Sequence, residues 1–181
     1  MALIKLKGFP IRKQNTPLTC GYSAISMLSS FLGKGVREDE IPKGFSFRMI
    51  KGLAASQFIK GFEHYVQGYS MELVTPERKD ISGVILKQLK KGLPVPFLFS
   101  TENPLDNDTM YPHYSIATGM DTEKKIITFA NPFGYEEKLK MQDFLDKLEF
   151  KNYENIPFKF RFGLFTGMLK KRSVFIISKS T

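Results

Sequence analysis

The chain has a single cysteine, Cys20, in the stretch Gln14-Asn15-Thr16-Pro17-Leu18-Thr19-Cys20-Gly21-Tyr22-Ser23-Ala24. Far downstream stands His113, followed by an alternating apolar run, and then Asn131 in Asn131-Pro132-Phe133-Gly134. Cys, His and Asn in that order, with a Gln six residues ahead of the Cys, are the parts of a thiol-nucleophile acyl-transfer site. A thiol attacks only as the thiolate, which a helix N-terminus and a neighbouring imidazolium both stabilise. The sequence starts a helix at Cys20. His113 opens a strand behind a stretch rich in turn residues, a place from which a ring can project into a cleft. An imidazole that moves protons needs a third group to hold its tautomer and plane. Asn131, 18 residues on and at the end of the next strand, falls near the same sheet end. Gln14 can donate its side-chain amide to a developing oxyanion, beside the N–H of Cys20.

Each residue has a plainer reading when taken alone. A lone cysteine is often a buried, inert hydrophobe. A histidine at a strand start is often surface, Asn-Pro is ordinary turn chemistry, and a Gln before a loop is ordinary polar surface. The combination and its order favour a site. His64, in Gly61-Phe62-Glu63-His64-Tyr65, competes with His113 but is read between a helix and a strand, without an orienting partner at a telling distance.

The elements that must carry these residues follow from hydrophobic periodicity. Ala24, Ile25, Leu28, Phe31 and Leu32 make one helical face over 20–32, which Gly33 and Gly35 stop. Further helices are expected near 46–60, 81–91 and 141–148. Strands are expected at Val95 to Ser100, His113 to Met120, Lys125 to Ala130 and Ser173 to Ser178, with a turn at 121–124. Asn103 to Pro112 reads as a surface loop. Helices first and strands later indicate one α+β domain over 1–181, its helical N-terminal part packed on a mostly antiparallel C-terminal sheet.

Composition narrows the classes. A chain of 181 residues with 42% hydrophobic and 25% charged residues is an ordinary globular one. No apolar run reaches the roughly 18 residues of a membrane span. The N-terminus has no secretory signal pattern, so the expected location is cytoplasmic, or outside by a route that uses no N-terminal signal peptide. One cysteine allows no internal disulfide, and with two histidines no four-ligand Cys/His zinc site; no cofactor or metal is implied. The net charge of +9 is scattered, with clusters only at Lys87-Lys90-Lys91 and Lys170-Lys171-Arg172, so a solvated basic surface is favoured over a nucleic-acid partner.

Four segments together resemble the papain-like cysteine peptidases, and most nearly the bacteriocin-processing, double-glycine-leader peptidases and their stand-alone relatives. They are Gln14…Cys20-Gly21 with the helix behind it, Leu89 to Val95 before a central strand, the histidine strand His113 to Asp121, and Ile126 to Gly134. The similarity runs from about residue 9 to 135. It implies the papain-like fold, with Cys20 as nucleophile, His113 as base, Asn131 as orienter and Gln14 as oxyanion donor, acting on a peptide or protein. The bacteriocin-processing members usually carry Asp where this chain has Asn131, and papain-type enzymes carry Asn. Because the triad chemistry is shared, an acyltransferase or glutamine deamidase remains an alternative. So does an inactive module whose basic surface docks an acidic partner.

Overall fold

A computed structural model of the chain describes residues 3–41, 53–103, 106–151, 153–167 and 169–180. Its framework is an antiparallel sheet in the order β2-β7-β3-β4-β5-β6. The strands are β1 (Leu3–Lys5), β2 (Tyr69–Val74), β3 (Val95–Asn103), β4 (Asp106–Asp121), β5 (Ile126–Asn131), β6 (Tyr135–Lys140) and β7 (Val174–Lys179). β1 pairs with residues 119–121 of β4, on the side that β3 flanks from Val95 onward. The helices are α1 (Cys20–Leu32), α2 (Ala55–Tyr65), α3 (Ile81–Lys90), α4 (Met141–Leu148) and α5 (Phe158–Phe165). No described helix is long and apolar enough to cross a membrane.

The central strands are apolar on both faces because both faces are covered. Leu98, Tyr114, Ile116, Ala130 and Phe175 join Ile25, Leu28, Phe58 and Phe62 of α1 and α2 in one core. Phe97, Phe99, Ala117, Phe129 and Val174 join Ile85, Leu89, Phe144 and Leu148 of α3 and α4 in the other. Alternate residues of one strand therefore serve opposite cores, as the two-residue period of a strand dictates. Phe97 is the hub of the second core, meeting Phe99, Phe129 and Phe144 edge-on at 5.0–5.3 Å between centroids, a geometry that contributes about 0.5–1.5 kcal/mol per pair beyond burial.

The α+β class, the α1 and α4 boundaries and the four expected strands agree with this architecture, and several local expectations do not. Asn103 to Pro112 is no loop among its described residues. β3 and β4 continue through it as a hairpin, pairing Glu102 with Met110 and Asn103 with Asp106 across a register shift. Backbone pairing overrides the turn propensity of that stretch. The second helix starts at Ala55; the expected part over 46–52 lies outside the described residues. It runs on to Tyr65, so His64 lies inside its last turn rather than between elements, exposed and edge-on to Tyr65.

Candidate active site

The loop before α1 shapes its N-terminus. Thr19 turns its hydroxyl back to the Thr16 carbonyl at 3.0 Å, and no side chain caps the helix. First-turn N–H groups have no intrahelical acceptor, so those of Cys20 and Gly21 remain to serve the sulfur. The pairing of β4 with β5 stops at Ile116. Beyond it the edge of β4 meets α1, and the Tyr114 N–H is directed at the Cys20 sulfur. These three N–H groups favour the thiolate, but burial outweighs them. With only 7% of Cys20 exposed, burial pushes its thiol up to about 11. Gly21 fills a packing role: a Cβ there would come within 3.0 Å of Leu53. The space over Gly21 is occupied by Leu53 and is not open to substrate backbone.

His113 is fully buried. Its Nε2 lies 2.9 Å from Asn131 Oδ1. The same oxygen accepts the Phe133 N–H at 3.0 Å, and Asn131 Nδ2 donates to Glu137 Oε2 at 2.7 Å. An oxygen that accepts two donors while its amide nitrogen faces a carboxylate can have only one orientation. That orientation assigns the imidazole proton to Nε2 and leaves Nδ1 as a bare lone pair. Nδ1 is buried and has no hydrogen-bond partner among the described residues. Phe133 stacks on the ring at 4.5 Å and 24°, while Tyr111 and Phe99 approach it at 5.7 and 5.9 Å. Burial pulls His113 down to about 4, against the opposing effect of Asn131. The resting pair is therefore a neutral thiol and a neutral imidazole.

Gln14 reaches the site through a turn. Asn131 to Gly134 closes with Gly134 N–H on the Asn131 carbonyl at 2.9 Å, and Gln14 N–H donates to the Pro132 carbonyl at 2.6 Å. Lys13 bridges to Phe133. Gly134 makes this possible: its φ is +96°, and a Cβ would meet that of Lys13 at 2.9 Å. The buried Gln14 amide donates to the Thr16 carbonyl at 2.7 Å, and its Oε1 is unpartnered.

His113, Asn131 and Gln14 are thus gathered by the Asn131–Gly134 turn. Cys20 stands against Tyr114, the neighbour of His113, and Tyr111 is within reach of both the Cys20 charge and the His113 ring. No hydrogen bond joins the Cys20 sulfur to His113. A cavity of about 30 Å³ beside Cys20 is walled by Leu18, Leu53, Tyr111, Tyr114, Phe160 and Leu169. A larger one of about 660 Å³ runs past Gln14, Phe133, Tyr135, Glu102, Glu137 and Lys147.

Glu137 and Phe133 are the neighbours of the site that sequence reasoning missed. The cue for Glu137 was the β5–β6 hairpin itself. With Asn131 opposite Tyr135 and Phe129 opposite Glu137, residues 131 and 137 share a face.

No curated protein matches this chain. The solved structures that resemble it do so at low identity. A candidate C39-like peptidase from Bacillus anthracis has a TM-score of 0.61 at 14% identity over 100% of both chains. A double-glycine-motif protease of an AMS/PCAT transporter, in complex with a leader peptide, has 0.58 at 14% over 99% of both. The peptidase domain of Streptococcus ComA, a bifunctional ABC transporter of a quorum-sensing pathway, has 0.61 at 8% over 95% of this chain and 99% of its own. At such identities the likeness speaks for the fold, which is the papain-like one that the four segments implied. The sequence itself carries the rest: residues 6–158, with Cys20, His113 and Asn131 among them, match the model of the C39-like peptidase family, and the chain belongs to that family.

Proposed function

We propose that the protein is a cysteine peptidase that hydrolyses peptide bonds with Cys20 as nucleophile, His113 as base, Asn131 as orienter and Gln14 as oxyanion donor. The observation that carries this reading is the His113 ring, its Nε2 held at 2.9 Å by Asn131 while Nδ1 stays bare. A buried, unpartnered ring nitrogen costs stability. A base awaiting a proton explains it. In the reaction the Cys20 sulfur leaves its apolar cavity and attacks the carbonyl while His113 Nδ1 takes its proton. The Gln14 amide and the Cys20 N–H receive the oxyanion. His113 then gives the proton to the leaving amine and next activates water for deacylation.

The substrate is an extended peptide with small residues before the cut. The 30 Å³ cavity beside Cys20 supports this, since it has room for about one water. A structural relative is a double-glycine-motif protease bound to a leader peptide. Glu102, on the wall of the larger cavity, supports a basic residue near the cut. Asp106 and Asp108, acids close by in sequence, have side chains outside the described set. The test is digestion of a diverse peptide library by wild type and Cys20→Ala, with mass spectrometry of new N-termini. Cuts after small residues, absent with Cys20→Ala, are expected; cuts that persist in the variant would remove Cys20 from the chemistry.

The burial of Cys20, with its thiol pushed to about 11, favours one second reading, an inactive module that binds peptides without cutting them. Library peptides retained intact by both proteins would establish it. Amine-acceptor products or deamidated glutamines in the same digest would instead indicate a transferase or deamidase.

A further inference from the structure

We propose that Glu137 is a positioning residue for the His113 base, acting through Asn131. This deepens the peptidase reading and rests on it. The hydrogen bonds form one chain: His113 Nε2 to Asn131 Oδ1 at 2.9 Å, then Asn131 Nδ2 to Glu137 Oε2 at 2.7 Å. A carboxylate only accepts, so Glu137 fixes the Asn131 nitrogen toward itself and the oxygen toward His113. That excludes the opposite tautomer, in which Nδ1 would carry the proton and could not take one from a thiol. The bond to Glu137 is charge-assisted, and it polarises the amide so that Oδ1 accepts more strongly from the imidazolium that forms during acylation.

The same geometry explains why an amide stands at 131. An acid there would face Glu137 acid to acid, and one of the two would have to hold a proton. An amide accepts from the ring and donates to the carboxylate at once. Asn131 and Glu137 together supply a negative charge one group further from the imidazole than a Cys-His-Asp arrangement does. Glu137 lines the larger cavity with Glu102, Tyr135, Lys13 and Lys147, while Cys20 and Tyr111 are the titratable groups on the other side of His113. Among the described residues none of Glu102, Tyr135, Lys13 and Lys147 is hydrogen-bonded to Asn131; of these charged and titratable groups on the cavity, Glu137 is the one joined to the base through it.

The experiment is nitrogen-15 NMR of the imidazoles in the full chain, where only His64 and His113 contribute. It is run at neutral pH and through an acid titration. In the wild type the His113 proton is expected on Nε2. Glu137→Gln is expected to raise the ratio of the Nδ1–H to the Nε2–H form about tenfold, the scale of one hydrogen bond to a charged group. Loss of the negative charge is also expected to lower the His113 pKa further. Glu137→Asp, which keeps the charge on a shorter stem, is expected to restore part of both. In an Asn131→Ala background, Glu137→Gln is expected to change neither. Equal effects with and without Asn131, or an unchanged tautomer in Glu137→Gln, would overturn the proposal. If Glu137→Gln fails to fold, Glu137→Asp decides it: a tautomer ratio shifted toward the Nδ1–H form only where Asn131 is present supports the role, and an unshifted ratio, or an equal shift in the Asn131→Ala background, overturns it. These readouts need no substrate, so an inactive protein with the expected tautomer behaviour would refute the peptidase reading and leave the role of Glu137 standing.

Discussion

The two halves of the candidate site are built in opposite ways. On the sheet side the imidazole is clamped: Asn131, the Phe133 N–H and Glu137 fix its tautomer, and the Phe133 ring fixes its plane. On the helix side Cys20 is packed among Leu53, Tyr114 and Phe160, with a thiol raised by burial and no bond to His113. The His113 ring is prepared in advance and the Cys20 thiol is not. A preorganised polar group costs its reorganisation at folding rather than at reaction. A buried thiol stays protonated and unreactive until something displaces its apolar neighbours. Under the proposed function the contrast describes a peptidase held silent at rest, with substrate entry as the event that brings sulfur and Nδ1 together.

The hardest way to break this contrast is to remove either member of the pair. Cys20→Ala and His113→Ala are each expected to lower the turnover of a cleaved library peptide roughly 10⁴-fold or more, because such members act as a unit. An active His113→Ala enzyme would mean that the clamped ring serves only packing. Gln14→Ala comes next, at roughly 10²–10³ in rate through loss of one oxyanion donor. Asn131→Ala is expected to cost less than Gln14→Ala, since it loosens the ring without removing a reacting group. Steady-state rates on one peptide rank all four.

A third test sharpens the clamped side alone. His113 is held at about 4, below the usual 6.5, by burial. Its unfolded state therefore binds more protons between these values. Stability is full above about 6.5, declines as pH falls toward 4 and flattens below it, by roughly 3 kcal/mol in all. Urea melts across this range are expected to show the decline in the wild type and its absence in His113→Gln. Equal slopes would mean that the ring is hydrated and not clamped. The smallest effect is expected for the exposed His64. His64→Ala should match the wild type in rate, and a large loss would reverse the assignment of the two histidines.

The same contrast runs through what the sequence made legible. Cys20 and its helix were readable because their signals are local: an apolar face with a 3.6-residue period and a glycine stop. His113 and Asn131 were readable because two apolar strands and one short turn bring positions 18 apart together. The polar edges were not. β6, Tyr-Glu-Glu-Lys-Leu-Lys, has charges where a strand pattern wants apolar residues, so its pairing with β5, and with it Glu137, stayed hidden. β1 has three residues, and β2 is half-exposed along most of its length. The 103–112 stretch carries turn residues, but its described residues are held between β3 and β4 by pairing that no local rule reports. The depth of Cys20 was invisible for a related reason: its cavity is closed by Leu53, Phe160 and Leu169, which arrive from two distant segments.

The central claim, that a buried Cys20 becomes the nucleophile when a peptide enters, is tested most directly with a Gly-Gly peptide aldehyde carrying carbon-13 at its aldehyde carbon. Aldehydes of this kind mimic the tetrahedral intermediate and bind an active site roughly 10²-fold or more tighter than the parent peptide. The expected result is one new tetrahedral carbon signal in the wild type, distinct from the free hydrate and absent in Cys20→Ala. An aldehyde that remains free in the wild type, or an adduct that forms equally well without Cys20, would contradict it.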